Sequence, residues 1–440
     1  MKKTESINPW GWVPTLYFAE GIPYFIVNTI SVIMFTNMGM SKGDMAMYTS
    51  LLYLPWVIKP LWSPFVDIIR TKRWWVITMQ IIMSAAFALT AFSLPHPSAE
   101  VIASENTPVS LFALTLVIFW ITAFASATHD IAADGFYMLA LDPGNQSFYV
   151  GIRSTFYRLS SIFGQGVLVV IAGMLETRLG DVPGAWRVTL LVSAVMFAGI
   201  TLWHTFFMPR PASDSLRRLE GSGNAAGEII KEFGRTFVTF FSKKGVLIAM
   251  LFMLLYRLPE AFLVKMMNPF LLDPVAKGGL GLSTQSVGFI YGTVGVAALT
   301  VGGILGGIAA SRWGLKKCMW PMALALTLPC LSFVFLSAFQ PDSLLITGVC
   351  VSLDQFGYGF GFTAYMLYLI YFSEGEFKTA HYSICTAFMA LSMMLPGLVA
   401  GYVQELLGYT SFFIFVMLCC LVTVAVTFMV KVDPEYGKKQ

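Results

Sequence analysis

Stretches of about twenty mainly apolar residues, long enough to cross the ~30 Å hydrocarbon core of a bilayer, recur from Trp12 to Val430 with short polar gaps between them. A fold in water could not hide that surface. Of 440 residues, 57% are hydrophobic and 12% charged, and the mean hydropathy is +0.72, against about 45–50% and about 25% in soluble domains. The fold class expected is therefore an all-α membrane protein. Twelve spans are expected, at 12–37, 46–66, 74–94, 110–141, 149–175, 187–208, 246–271, 285–310, 317–339, 342–372, 379–404 and 408–431. An even number puts both ends on one side, and Lys and Arg choose which. Residues 1–11, 67–73, 142–153, 209–244, 311–317, 373–378 and the tail hold roughly twenty and the alternate loops about four, so both termini are expected in the cytoplasm.

The long polar stretch from Pro209 to Lys244 divides the chain near its middle. We expect a first six-helix bundle over 1–208, a cytoplasmic linker over 209–244 and a second bundle over 245–440. Within the linker, Gly227 to Phe241 alternates charge with Ile and Phe, as an amphipathic surface helix does, although a plain tether has a similar composition. An internal repeat supports two halves: an offset of 228 residues lays Tyr137-Met-Leu on Tyr365-Met-Leu, Arg153 on His381 and Ala172-Gly on Ala400-Gly.

Several function classes fall away. The basic residues are spread over membrane-flanking loops rather than gathered on one face, which argues against nucleic acid. The six cysteines lie in or beside apolar stretches without metal-like spacing and read as small buried residues. The apolar stretch after Pro14 is long, carries Glu20 and has no clear small-residue cleavage site, so the first span is expected to stay in the mature protein. His129 and Asp134 match a His-x4-Asp acyltransferase pattern, yet residues five apart on a helix point about 140° apart and do not share a catalytic surface. No enzyme activity, metal or cofactor is expected.

Ionisable residues inside a bilayer cost at least a few kcal/mol and need a reason. The acids well inside the expected spans are Glu20 in the first, Asp130 and Asp134 in the fourth, Glu260 in the seventh and Asp354 in the tenth. They are candidates for proton coupling or solute binding; fixed ion pairs, such as Arg257 with Glu260 at i, i+3, are the alternative. Asp130 and Asp134 share one helix face. His129 points elsewhere and could meet the second span, where Lys59 needs an acidic partner or an anionic solute. Lys59, Arg257 and His129 are thus the candidate cations. Tyr358, Tyr365 and Tyr368 on the tenth span could stack on sugar rings or contact lipid. Gly302, Gly303, Gly306 and Gly307 pair as close-packing devices, not as a phosphate loop.

Near the polar ends, Gly307-x3-Ser311-Arg312-x-Gly314-x-Lys316 resembles the loop motif of major facilitator transporters, with Ser311 in place of its acid. Asp67, Arg70, Lys72 and Arg73 form a second, degenerate copy, with Ser63 at the glycine position. Asp67, Arg70, Arg73 and Arg312 could form a conformational latch, or simply anchor the loops. Glu20-Gly-Ile-Pro23, Lys59-Pro-Leu-Trp-Ser-Pro-Phe-Val-Asp67, Ala127-Thr-His-Asp-Ile-Ala-Ala-Asp-Gly135 and Leu255-Tyr-Arg-Leu-Pro-Glu-Ala-Phe262 resemble the muropeptide permease (AmpG-type) and acetyl-CoA transporter group over nearly the whole chain. The resemblance implies a major facilitator fold of two pseudo-symmetric six-helix bundles in a bacterial inner membrane. In that fold the first, fourth, seventh and tenth helices line the central cavity. It also implies proton-driven import of a cell-wall-derived saccharide by a protein expected to act as a monomer. Phe136, Tyr137 and Met138 stand where the permeases carry a further lysine and acid, and His129 where glutamine is usual, so a less charged glycan stays open. Acetyl-CoA transport and sugar sensing without transport are the rival expectations.

Overall fold

The computed structural model describes residues 8–141, 143–214, 225–375 and 377–437. Among these, the regular structure is helical. Among the described residues nine helical segments are long and apolar enough to cross a membrane, against twelve expected spans, and the local sequence accounts for the difference. Ala380–Met429 covers two expected spans and bends at Gly408, whose φ of 71° and ψ of 167° leave the helical region. The expected span at 46–66 is broken at Leu52 and Tyr53 into Lys42–Leu51 and Leu54–Ile69, the latter holding Pro55, Pro60 and Lys59. Leu344–Ser373 runs unbroken for 30 residues, but Asp354, Gln355 and a run of glycines dilute its apolarity.

Three buried apolar clusters reveal how the chain is joined. One uses only residues between Trp12 and Met208, and a second only residues between Phe240 and Val432. The third mixes both parts of the chain, from Ala19 to Cys420. Polar contacts between the two parts gather around that shared core, at the end where Asn37, Lys42, Asp273 and Tyr409 lie. Asn37 donates to Thr284 at 2.8 Å, Lys42 pairs with Asp273 at 2.9 Å, and the Gly43 amide donates to Glu405 at 2.8 Å. At the opposite end Trp203 donates to the Gly11 carbonyl and the Leu315 amide to that of Tyr436.

Glycine sets the closeness of this contact. A Cβ on Gly401 would fall 1.9 Å from the Lys42 carbonyl oxygen, and one on Gly292 would fall 1.9 Å from that of Gln165. Any side chain there would push the two parts apart.

The expected linker helix is present as Ala225–Phe241. It does more than lie on a surface. Phe240 is fully buried against Phe372, Phe388 and His381, Thr239 lies 3.1 Å from His381 Nε2, and Val238 and Phe241 face outward.

Candidate functional site

The helices Val13–Phe25, Leu54–Ile69, Ala113–Ala140 and Pro143–Ser161 assemble one polar cluster. Asp130 Oδ2 accepts from the Trp56 indole at 3.0 Å and lies 3.9 Å from Lys59 Nζ, which answers the question of Lys59's partner. One helical turn further, Asp134 Oδ1 accepts from Arg153 at 2.8 Å and from the Tyr17 hydroxyl at 3.1 Å. The guanidinium lies 4.3 Å from the centre of the Tyr17 ring, a cation–π contact that steadies the pair. Glu20 is within electrostatic reach of both aspartates, Arg153 and Lys59, and its Oε2 is buried without a partner among the described residues. Helix spacing explains the arrangement: positions 130 and 134 share a face, and the i, i+3 pair 17 and 20 turns the same way.

The cluster formed by Leu258–Leu272 and Leu344–Ser373 is built differently. Glu260 and Asp354 are each 1% exposed. Neither Glu260 oxygen has a hydrogen-bond partner among the described residues, and Asp354 accepts one bond, from Gln355 at 3.2 Å. The expected Arg257–Glu260 pair is not made as a direct contact. Arg257 donates instead to the Tyr358 hydroxyl and lies among the rings of Tyr358, Phe362 and Tyr365, 4.8 Å from the Phe362 centre. Arg257 precedes the first turn of its helix, and its side chain reaches across to the aromatic face of the neighbouring helix.

Other expectations need correction. His129 does not face Lys59. It is buried 3.0 Å from Gln80 Nε2, Gln80 Oε1 accepts from His204 Nδ1 at 3.0 Å, and His204 Nε2 lies 2.9 Å from Thr15 Oγ1. This chain of neutral hydrogen bonds ties helices together and leaves His129 away from the charged cluster. Tyr365 and Tyr368 are not cavity rings in this conformation. They pack in the second apolar cluster, with the Tyr365 hydroxyl donating to the Met253 carbonyl at 2.6 Å. Of the three, Tyr358 bonds the Arg257 guanidinium through its hydroxyl, Tyr365 meets it only with its ring, and Tyr368 does not face it.

The described latch residues, Arg70, Arg73 and Arg312, each make separate contacts. The Asp67 side chain lies outside the described residues, and Arg70 and Arg312 rest over Trp74 and Trp313. Arg73 donates to the carbonyls of Thr205 and Met208, and Asp214 from the linker accepts from the Lys72 and Arg73 amides at 2.7 and 3.0 Å. Asp214 thus caps the helix Lys72–Ser93, where a carboxylate is favoured by the helix dipole.

Three residues of consequence escaped the sequence reading. Arg153 and Asp214 lie at the edge of polar segments, where a charge is ordinary. Lys265 lies well inside an expected span, and the cost rule that singled out the acids applies equally to it.

The chain matches the family model of the Major Facilitator Superfamily over residues 15–374. It is 24% identical to the anhydromuropeptide permease of Escherichia coli K12 over 405 residues, covering 91% of this chain and 75% of that protein. A Rickettsia felis protein named as transporter AmpG 4 is 24% identical over 417 residues, 92% of each chain. Among solved structures, a D-xylose–proton symporter superposes with a TM-score of 0.70 at 13% identity, covering 97% of this chain and 98% of that one. A bacterial homologue of the lysosomal transporter Spinster, inward-facing and unoccupied, gives 0.69 at 13%, covering 98% and 97%.

Proposed function

We propose, from the premise that this chain belongs to the Major Facilitator Superfamily of multi-pass membrane transporters for small-molecule solutes, that it imports a cell-wall-derived saccharide by proton symport. The saccharide would be an anhydro-muropeptide, an amino sugar disaccharide or a related glycan. Relatives named as permeases of this type support the solute class. The observation that carries the coupling is the set of carboxyls at Glu20, Asp130, Asp134, Glu260 and Asp354 on helices from both parts of the chain, partly buried in the first part and fully buried in the second. Two bundles, 1–208 and 245–440, joined by the linker 209–244, would rock about that set. With both termini in the cytoplasm of a bacterial inner membrane, contacts concentrated around Lys42 and Asp273 correspond to an inward-facing state.

In this scheme Asp130 and Asp134 exchange a proton against Lys59 and Arg153. Protonation of either aspartate frees its cation for another partner, and one such change biases a two-state bundle. Glu260 and Asp354 serve as the second carrier or bind solute hydroxyls, with Arg257 and Tyr358 beside them.

Proteoliposomes with an imposed proton gradient and labelled anhydro-muropeptide or its disaccharide test this reading. Uptake is expected to be concentrative and to collapse with a protonophore. Uptake indifferent to the gradient removes the coupling, and competition by coenzyme A instead of disaccharide favours an organic-anion transporter. Saturable binding without counterflow favours a sensor.

A further inference from the structure

Lys265 is the buried charge that the symport scheme leaves unused. It is 5% exposed on the helix Leu258–Leu272, and its Nζ donates to Thr49 Oγ1 at 3.0 Å and lies 5.4 Å from the centre of the Tyr53 ring. The Thr49 hydroxyl itself donates to the Met45 carbonyl at 2.6 Å, which leaves a lone pair for Lys265. Among the described residues no carboxylate comes within ion-pair distance of Lys265, whereas Lys42, nearby in the shared core region, pairs with Glu105 and Asp273. A lysine at this depth has three donors, and one is used.

Its surroundings are polar and also unfinished. Asn28 Oδ1, Asn268 Oδ1 and Ser50 Oγ are buried without partners among the described residues. Asn28, Tyr53, Lys265 and Asn268 line one cavity of about 10 Å³, room for about one water. Asn28, Thr49, Ser50 and Tyr53 come from the first part of the chain, and Lys265 and Asn268 from the second. At the same level a Cβ on Gly397 would fall 2.2 Å from Ser50 Oγ and 3.1 Å from Lys265 Cε, so the two parts are pressed together here. The site is split along the surface that must part for the far end to open.

We infer that Lys265, Ser50, Asn28 and Asn268 form a solute subsite for a carboxylate flanked by an amide N–H, as in an N-acylated amino acid. The ammonium and the Ser50 hydroxyl supply donors for the carboxylate oxygens. The asparagine carbonyls accept the neighbouring N–H, that of Asn28 being aimed by its NH2 donating to the Tyr24 carbonyl at 3.1 Å. In the closed state Thr49 stands in as the lysine's acceptor and the cavity holds no more than a water. Separation of the two parts frees the ammonium and opens the pocket to an acidic group. The inference deepens the saccharide reading, on which it rests for its physiological solute, by restoring an acidic stem to the solute class.

The test uses the full chain purified in detergent, with N-acetyl-L-alanine as probe and its uncharged amide as control. The acid is expected to raise the unfolding temperature saturably and the amide not to. Lys265→Met should weaken the acid's half-saturation at least ~10-fold, as expected for loss of a charge-assisted contact. Asn268→Asp, which places a carboxylate beside Lys265 and keeps the fold's polarity, should do the same, so the test survives if Lys265→Met does not fold. Equal stabilisation by acid and amide, no saturable stabilisation in the parent, or full binding by Asn268→Asp overturns the subsite. In proteoliposomes the parent should take up the acidic muropeptide at least ~10-fold better (kcat/KM) than the same muropeptide with its stem carboxyls amidated, and Lys265→Met should remove that preference; an unchanged preference in the variant overturns it. If the parent chain imports neither solute, the muropeptide reading fails while the detergent assay still decides on Lys265.

Discussion

The two polar clusters occupy related places in the chain and solve the burial of charge in opposite ways. Adding the repeat offset of 228 to Asp130 and Asp134 lands on Tyr358 and Phe362, the rings that flank Arg257. In the first cluster each aspartate meets a cation and a hydrogen-bond donor. In the second the cation sits on aromatic faces, and the acids have moved to Glu260 and Asp354, away from direct pairing. Paired charges resist change until a proton arrives; unpartnered carboxyls are already open to a proton or a solute. In the proposed scheme this difference suits the first cluster to proton-driven switching and the second to carrying or solute binding.

The largest expected effect is on transport. Asp130→Asn and Glu260→Gln should each lower gradient-driven uptake roughly 100-fold, the usual scale for removing a positioned proton carrier. Full activity in Glu260→Gln would break the assignment of the second cluster.

Next in size is the neutral chain through His129. Gln80→Leu leaves His129 Nε2 and His204 Nδ1 without their partner and should cost about 2–3 kcal/mol of stability, read as a lower unfolding temperature. The uptake rate per folded molecule should not change. A rate loss without destabilisation would return His129 to the functional site.

Smaller again is the ion pair. Arg153→Ala should destabilise by about 1–2 kcal/mol, modest because the partners are 30% and 45% exposed. The double variant with Asp134→Asn should recover part of that loss. Glu260→Gln should cost under about 0.5 kcal/mol, since no hydrogen bond is removed. Equal costs for Arg153→Ala and Glu260→Gln would erase the contrast between the clusters.

The smallest effect concerns the closed end. Burial works to raise the Glu105 carboxyl, but hydrogen bonds from Lys277 and Lys42 outweigh it and hold the group below its ordinary 4.5. A carboxyl depressed in the folded state contributes fully above its unfolded value and loses that contribution as pH falls through the folded one. The contacts at 2.8 Å to Lys42 and Lys277 are partly exposed, so their worth is under about 1 kcal/mol. The stability gap between the parent and Glu105→Gln should therefore be present at pH 7 and shrink towards pH 3; a gap constant with pH would exclude the charge as its cause.

What could be read in advance followed from one-dimensional costs. Apolar length fixed a helical membrane fold because only helices satisfy their own backbone in lipid. The expense of intramembrane charge marked five acids, two of which, Asp130 and Asp134, lie on a shared face and are paired in the structure. The same rule could have found Lys265, but its counterpart, a threonine 216 positions away, leaves no trace in the sequence. Nor could the sequence separate a histidine in a neutral hydrogen-bond chain from one beside a charge, or tyrosines in a core from tyrosines at a cavity. Residues one turn apart know their relation from helix geometry alone. The partners of Lys59, Arg153, Arg257 and Lys265 lie on other helices, and which faces meet is decided by packing, down to glycines that let Gly401 touch the Lys42 carbonyl.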